Sequence, residues 1–249
     1  MDMLKEKLPS LVADAIEFVI DPVRTARTSI EELDNVEKTF VGLKVEHFFR
    51  DFIDLPKGIR DLRIEGFDLD IKNTIGKTWM IPPETYRQEE ACLLIASATK
   101  GRTCSLGLLV ARDGNLTKPN RDGKRGVSKL GRQSILWLIK EEPMPKSRWE
   151  GIEMVRFREL RKLRGGKKRA AAFFRENQER PVHRAIVQAL LFDQNDYMKR
   201  LRENGGARDL LWVEGILLLS GAFDRLKIAR LNLPPIERDE FIAVKCAID

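Results

Sequence analysis

Histidine and cysteine are scarce, with 2 His and 3 Cys among 249 residues. Cys92, Cys104 and Cys246 are widely spaced, odd in number and form no C-x-x-C. This excludes a disulfide framework and points to a reducing, cytoplasmic setting. Two histidines are too few for the usual zinc sites. No run is long and apolar enough to cross a bilayer, so no membrane partner is expected. Lys5 and Lys7 are followed by Asp14 and Glu17, which interrupt the apolar run that a signal peptide needs. The sequence has no G-x-G-x-x-G, no P-loop, no internal repeat and no low-complexity tract, so the common phosphate-cradling glycine loops are excluded as well.

Charge, by contrast, is abundant. Lys and Arg number 45 against 38 Asp and Glu, a net charge of +7, and the pI near 9.4 points toward a polyanionic partner. From Arg112 to Arg175 there are 19 Lys and Arg against 7 Asp and Glu, so the rest of the chain is net acidic. At this length the chain forms one large or two small domains, either able to bury a working core.

The most informative stretch is Arg60 to Lys72, where charged and apolar residues alternate on both sides of Glu65-Gly66. That pattern predicts a β-hairpin. Successive strand side chains point to opposite faces, so Asp68, Asp70 and Lys72 share one face while Leu69 and Ile71 dock on a core. Two carboxylates and an amine on one strand, with Asp61 arriving from its neighbour, suit metal-assisted phosphodiester hydrolysis. Carboxylate oxygens hold a hard cation, and a lysine orients water and offsets phosphate charge. A solvated strand face with charges paired across the hairpin fits the same spacing.

Leu8, Leu11, Val12, Ala15, Ile16 and Val19 recur at helical spacing and predict a helix that stops before Asp21-Pro22. A second helix is predicted from Lys38 to Phe52, with Phe40, Leu43, His47 or Phe48, and Phe52 on related turns and Glu46 along it. The tandem prolines within Lys77–Glu84 predict a rigid loop. Glu90–Ser97 and Thr103–Ala111 read as buried strands, Thr117–Arg125 as a basic loop and Ser134–Ile139 as another strand, which makes the first part α/β. Proline-bearing Glu141–Ser147 is the linker candidate, giving domains 1–145 and 146–249. Beyond it, Trp149–Leu163 and Lys167–Asn177 read as helices. Val182–Phe192 and Asp196–Asn204, across a short turn, have a helix-turn-helix layout, the second helix carrying Lys199, Arg200 and Arg202. Ile216–Leu219 and Phe241–Lys245 would add the β-ribbon of a winged motif. An ordinary αα-hairpin with a solvated basic face fits these two helices equally.

Taken together, these segments resemble restriction endonucleases of the NaeI type. The resemblance rests on Glu37-Lys-Thr-Phe-Val-Gly-Leu-Lys-Val-Glu46, Asp61 with Asp70-Ile-Lys72, Trp79-Met-Ile-Pro-Pro-Glu84 and Asn120-Arg-Asp-Gly-Lys-Arg125. In the second half it rests on Asp196-Tyr-Met-Lys-Arg-Leu-Arg202, Gly205-Gly-Ala-Arg208 and Glu214-Gly-Ile216. It implies an N-terminal endonuclease domain with the PD-(D/E)xK core, a mixed sheet flanked by helices. It also implies a C-terminal, mostly helical, winged-helix-like domain that binds a second DNA copy as effector. Such enzymes are Mg2+-dependent homodimers that cut palindromic, GC-rich double-stranded DNA.

On this resemblance Asp61 and Asp70 match the metal-binding aspartates, helped by the Ile71 carbonyl. Lys72 matches the catalytic lysine, and Glu46 the acidic residue that completes the metal or water shell. Asn120, Arg121, Lys124 and Arg125, with Lys199, Arg200, Arg202 and Arg208, are the DNA-binding candidates. Two departures stand out: Arg60 replaces the proline of the general signature, and Asp21-Pro22 stands where the prototype has Asp-Gly. The alternatives are a non-catalytic winged-helix regulator and a repair or modification-dependent nuclease on the same core.

Overall fold

A computed structural model describes residues 2–98 and 101–246. Helix α1 (Asp2–Ile20) ends at Asp21, whose positive φ turns the chain into the one-turn helix α2 (Pro22–Thr25). Asp21 caps that turn through the Arg24 N–H, and Pro22 occupies the N1 position, where its missing N–H costs nothing. The chain divides into two units, Met1–Ile20 with Thr28–Pro145 and Asp21–Arg27 with Lys146–Asp249. The second unit therefore includes seven residues from between two helices of the first.

In the first unit, helix α3 (Asn35–Ile53) starts at a capping box in which Asp34 and Glu37 each accept the other's backbone N–H. Its buried face is Val41, Val45 and Phe49, whereas Phe40 and Leu43 are about half exposed, at 51% and 49%. The sequence expectation has the wrong stripe because phenylalanines lie on both sides of the helix, and one residue of phase separates the two faces.

The main sheet runs β1-β2-β4-β5-β8, formed by β1 (Leu62–Ile64), β2 (Phe67–Thr74), β4 (Ala91–Ala98), β5 (Thr103–Val110) and β8 (Leu136–Pro143). Only β2 and β4 pair in parallel, so the sheet is mixed. Both faces are covered. Leu8, Val12, Val45, Phe49, Ile71 and Ile95 form one core, and Trp79, Ile81, Leu94, Leu109 and Val127 form the other.

Two segments expected as loops are structured. Lys77–Glu84 contains β3 (Met80–Ile81) and leads into α4 (Pro83–Tyr86), with Pro83 accepted at its first position. Thr117–Arg125 lies in a hairpin of β6 (Leu116–Pro119) and β7 (Arg125–Val127), which joins β3 in a small sheet of order β3-β7-β6. Helix α5 (Lys129–Gln133) then leads to β8.

In the second unit, α6 (Met154–Arg161) and α7 (Gly166–Glu176) are followed by β9 (Val182–His183), α8 (Arg184–Leu190), α9 (Ala207–Trp212), β10 (Ile216–Ser220), α10 (Arg225–Arg230) and β11 (Glu240–Lys245). The three strands form an antiparallel sheet of order β10-β11-β9. Trp149, Phe157, Phe173, Phe174 and Phe241 stack edge to face through the core. The expected helix Asp196–Asn204 is instead a single 3-10 turn, Met198–Arg200, and helix resumes at Ala207. Asp196 caps the turn through the Lys199 N–H, while Asp209 accepts from Asn204 and Gly205 and so ends it. At Gly206 a Cβ would lie 2.0 Å from the Arg202 carbonyl oxygen, so this tight return needs glycine.

Among the described residues no helix is long and apolar enough to cross a membrane.

Candidate active site and nucleic-acid interface

Strand β2 sets the register of the site. Ile71 is fully buried in the helix-covered core, which turns Asp70 and Lys72 to the opposite face. Asp70 is only 4% exposed. Its Oδ1 accepts a hydrogen bond from the Lys72 ammonium, and its Oδ2 accepts one from the Thr85 hydroxyl at 2.6 Å. Lys72 Nζ also donates to the Ile71 carbonyl at 3.0 Å. Asp61 arrives just before β1, where its Oδ2 accepts the Ile71 N–H at 2.8 Å and its Oδ1 lies 3.8 Å from Arg50.

Asp68 does not point into this cluster. It accepts the Ile59 N–H at 2.7 Å and sits so close to Gly58 that a Cβ there would lie 1.8 Å from Asp68 Oδ1. Its role is to shape the loop that delivers Asp61.

Glu46, on α3, faces the same charges. Burial pushes its carboxyl up from 4.5 to about 7, with Lys72 and Arg50 opposing the rise and Asp61 and Asp70 adding to it. Burial also raises the Asp70 carboxyl, against the pull of Lys72 and of the hydrogen bonds from Lys72 and Thr85. For Lys72, burial favours the neutral amine but is outweighed by the charge and hydrogen bond of Asp70, with Glu46 and Asp61 helping, so its pKa is raised. Lys72 is therefore an ammonium at neutral pH. Cys92, paired in register with Asp70, is no competing nucleophile, because burial raises its thiol to about 12.

Among the described residues no group of three or more His, Cys, Asp or Glu converges as a ready metal cage. The donors nevertheless suit a hard divalent cation. The Lys72 ammonium bridges Asp70 Oδ1 and the Ile71 carbonyl, so a cationic group already occupies the point on which those oxygens converge. Mg2+ is commonly held by one or two carboxylates with several waters retained, and that requirement matches this donor set.

Three further residues at the site are given no role by the sequence reading. Arg50 lies one turn beyond Glu46 and is readable as an i+4 neighbour on the same helix. Arg60, at the loose signature position, donates to Glu90 at 2.7 Å and to the Glu84 carbonyl at 2.6 Å, tying the Asp61 loop to α4 and the start of β4. Thr85 carries no sequence signal.

The expected DNA contacts separate into free and committed groups. Arg121 and Lys124 are exposed at the β6–β7 tip, with Asn120 between the strand and the turn. The Asn120 side-chain oxygen accepts the Asp122 and Lys124 N–H groups and so closes the turn. Arg125 is largely spent internally on Thr117 and Asp113. In the second unit Lys199 and Arg202 are exposed, Arg200 donates to Gln194 at 2.7 Å, and Arg208 pairs with Asp224 at 3.0 Å.

The basic stretch as a whole is not one binding face. Arg169 is 3% exposed and bonds the Leu163 and Leu190 carbonyls and Asp193. Arg161 donates to the Val23 carbonyl, and Arg156 and Arg175 pair with Glu176 and Glu214.

Comparison with known proteins gives two matches. The family model described as restriction endonuclease NaeI matches residues 2–248. The chain is also 28% identical over 250 residues to the type II restriction enzyme NaeI of Lentzea aerocolonigenes, an alignment covering 96% of this chain and 78% of that enzyme.

Proposed function

The chain belongs to the restriction endonuclease NaeI family, whose members are site-specific DNA hydrolases, and from this premise we propose that it is a Mg2+-dependent type II enzyme cutting both strands of a palindromic, GC-rich duplex. The observation that carries the chemistry is the cluster of Asp61, Asp70 and Lys72 around the Ile71 backbone, with Glu46 facing it.

Asp61, Asp70 and the Ile71 carbonyl would hold the cation, with Glu46 completing its shell or that of the attacking water. Mg2+ bound there would lower the pKa of water and offset charge on the phosphoryl oxygens. The residues supply the rest. Lys72, released from Asp70 and Ile71, keeps its proton and donates to a phosphate oxygen or orients the attacking water. Glu46, facing the same charges, is suited as a carboxylate to take a proton from that water as the new O–P bond forms and the ester P–O bond breaks. Arg121 and Lys124 are suited to phosphate or base contacts from an exposed tip.

The second unit supports a winged-helix reading. Its order of helix α7, strand β9, helices α8 and α9, then antiparallel β10 and β11 joined through α10 is compatible with a helix-turn-helix extended by a wing. On this reading α9, rather than the Lys199 to Arg202 turn, is the recognition helix, and the unit binds a second DNA copy within a homodimer. No comparable carboxylate–lysine cluster occurs among its described residues, which favours binding over chemistry.

Plasmid cleavage tests the proposal. Wild type should cut with Mg2+ and not with EDTA, whereas Asp70→Ala and Lys72→Ala should bind DNA but not cut. Parallel loss of binding and cleavage would remove these roles, and equal rates on one-site and two-site plasmids would remove the effector role.

A further inference from the structure

Thr85 is fully buried and spends its hydroxyl on Oδ2 of Asp70 at 2.6 Å. That hydrogen bond fixes the plane of the carboxylate, so that Oδ1 is the oxygen turned toward the Lys72 ammonium, which also donates to the Ile71 carbonyl. The adjacent residue reaches the other way. Tyr86 donates from its hydroxyl to the Gly123 carbonyl at 3.0 Å, in the turn joining β6 to β7, and the Arg125 guanidinium lies 5.2 Å over its ring. Gly123 sits between the exposed residues Arg121 and Lys124. Helix α4 is fixed from a third direction by Arg60, which donates to the Glu84 carbonyl. Two neighbouring side chains of one helical turn thus grip the carboxylate and the hairpin tip.

We propose that Thr85 is the positioning residue for Asp70, and that Tyr86 makes this positioning depend on how the hairpin tip is seated, so that DNA held at the tip strengthens cation binding at Asp70. The role of Asp70 in this rests on the nuclease reading; the hydrogen bonds do not. A short rigid element touched at both ends is the kind of link through which binding at one place biases geometry at another.

The test compares Thr85→Val, Thr85→Ser and Tyr86→Phe in the full chain. Mn2+ binding without DNA is followed by electron paramagnetic resonance, and Mg2+-dependent cleavage of a duplex carrying a mapped site is measured separately. Thr85→Val should weaken Mn2+ binding by about tenfold or more, as expected for losing a hydrogen bond to a charged group, and Thr85→Ser should restore it. Tyr86→Phe should leave Mn2+ binding unchanged yet raise the Mg2+ needed for half-maximal cleavage. Wild-type Mn2+ affinity in Thr85→Val, or no rescue by Thr85→Ser, would overturn the positioning role. A Tyr86→Phe shift that is equal with and without DNA, or absent from both, would overturn the coupling. A wild-type chain that binds Mn2+ but cuts no DNA would overturn the nuclease reading instead, and Thr85 would still be judged on Mn2+ alone.

Discussion

Replacing Glu46 by Gln should stabilise the metal-free protein at pH 8 and have little effect at pH 4.5. Burial raises this carboxyl from 4.5 to about 7, so between those values the folded chain keeps a proton that the unfolded chain has already released. Stability from this group is complete below pH 4.5, falls as pH rises, and is gone above pH 7. At about 1.4 kcal/mol per pH unit, and discounted for the group's partial contact with water, the loss is about 2–3 kcal/mol. Glutamine has nearly the same shape and does not ionise, so it escapes the loss. Calorimetry in EDTA should show the transition of the first unit about 5–10 °C higher in the variant at pH 8, with the two proteins converging at low pH. Saturating Mg2+ should narrow the gap, because a bound cation repays the buried charge. A variant no more stable than wild type at pH 8, or a gap of equal size at both pH values, would refute the argument that Glu46 is held against its ionisation.

Arg169→Met should leave the Leu163 and Leu190 carbonyls and Asp193 without their donor. The expected loss is about 3–5 kcal/mol, read as a fall of about 10 °C or more in the melting temperature of the second unit; an unchanged transition would show that water replaces the guanidinium. Arg121→Ala with Lys124→Ala should lower the slope of log affinity against log salt by about 2, one for each phosphate that is no longer neutralised. A filter-binding series with the wild-type slope would move the DNA surface away from the hairpin tip.

Much of the first unit is legible in the sequence because strand periodicity is short and unforgiving. Once Ile71 has to be buried, Asp70 and Lys72 follow to the same side, and the Glu65-Gly66 break locates the turn. The helix holding Glu46 is legible too, but its buried face is not, since Phe40 and Phe48 compete with Val41 and Val45 in a pattern shifted by one residue. Thr85 is invisible for a different reason: it meets Asp70 only through the tertiary path of α4, and no local spacing encodes that meeting. The Lys199–Arg202 turn reads as helix because its basic residues have helical spacing, while Asp196 and Asp209 offer the backbone other partners. The basic stretch to Arg175 misleads when charge is merely counted, because several of its arginines hold carbonyls and carboxylates inside the fold.

The Asp21–Arg27 segment has a bearing on how the protein is made. Arg158 donates to the Ala26 carbonyl across 132 residues of sequence, and Arg161 holds the Val23 carbonyl across 138. On a ribosome adding about 5–20 residues per second, that strip of the second unit emerges roughly 7–30 s before the arginines that bind it. The first unit can complete itself in the interval, while the strip waits with its carbonyls open to water. Assembly of the second unit is thus delayed by synthesis and slowed by a long-range closure, which makes it the later part of the nascent chain to become protease-resistant.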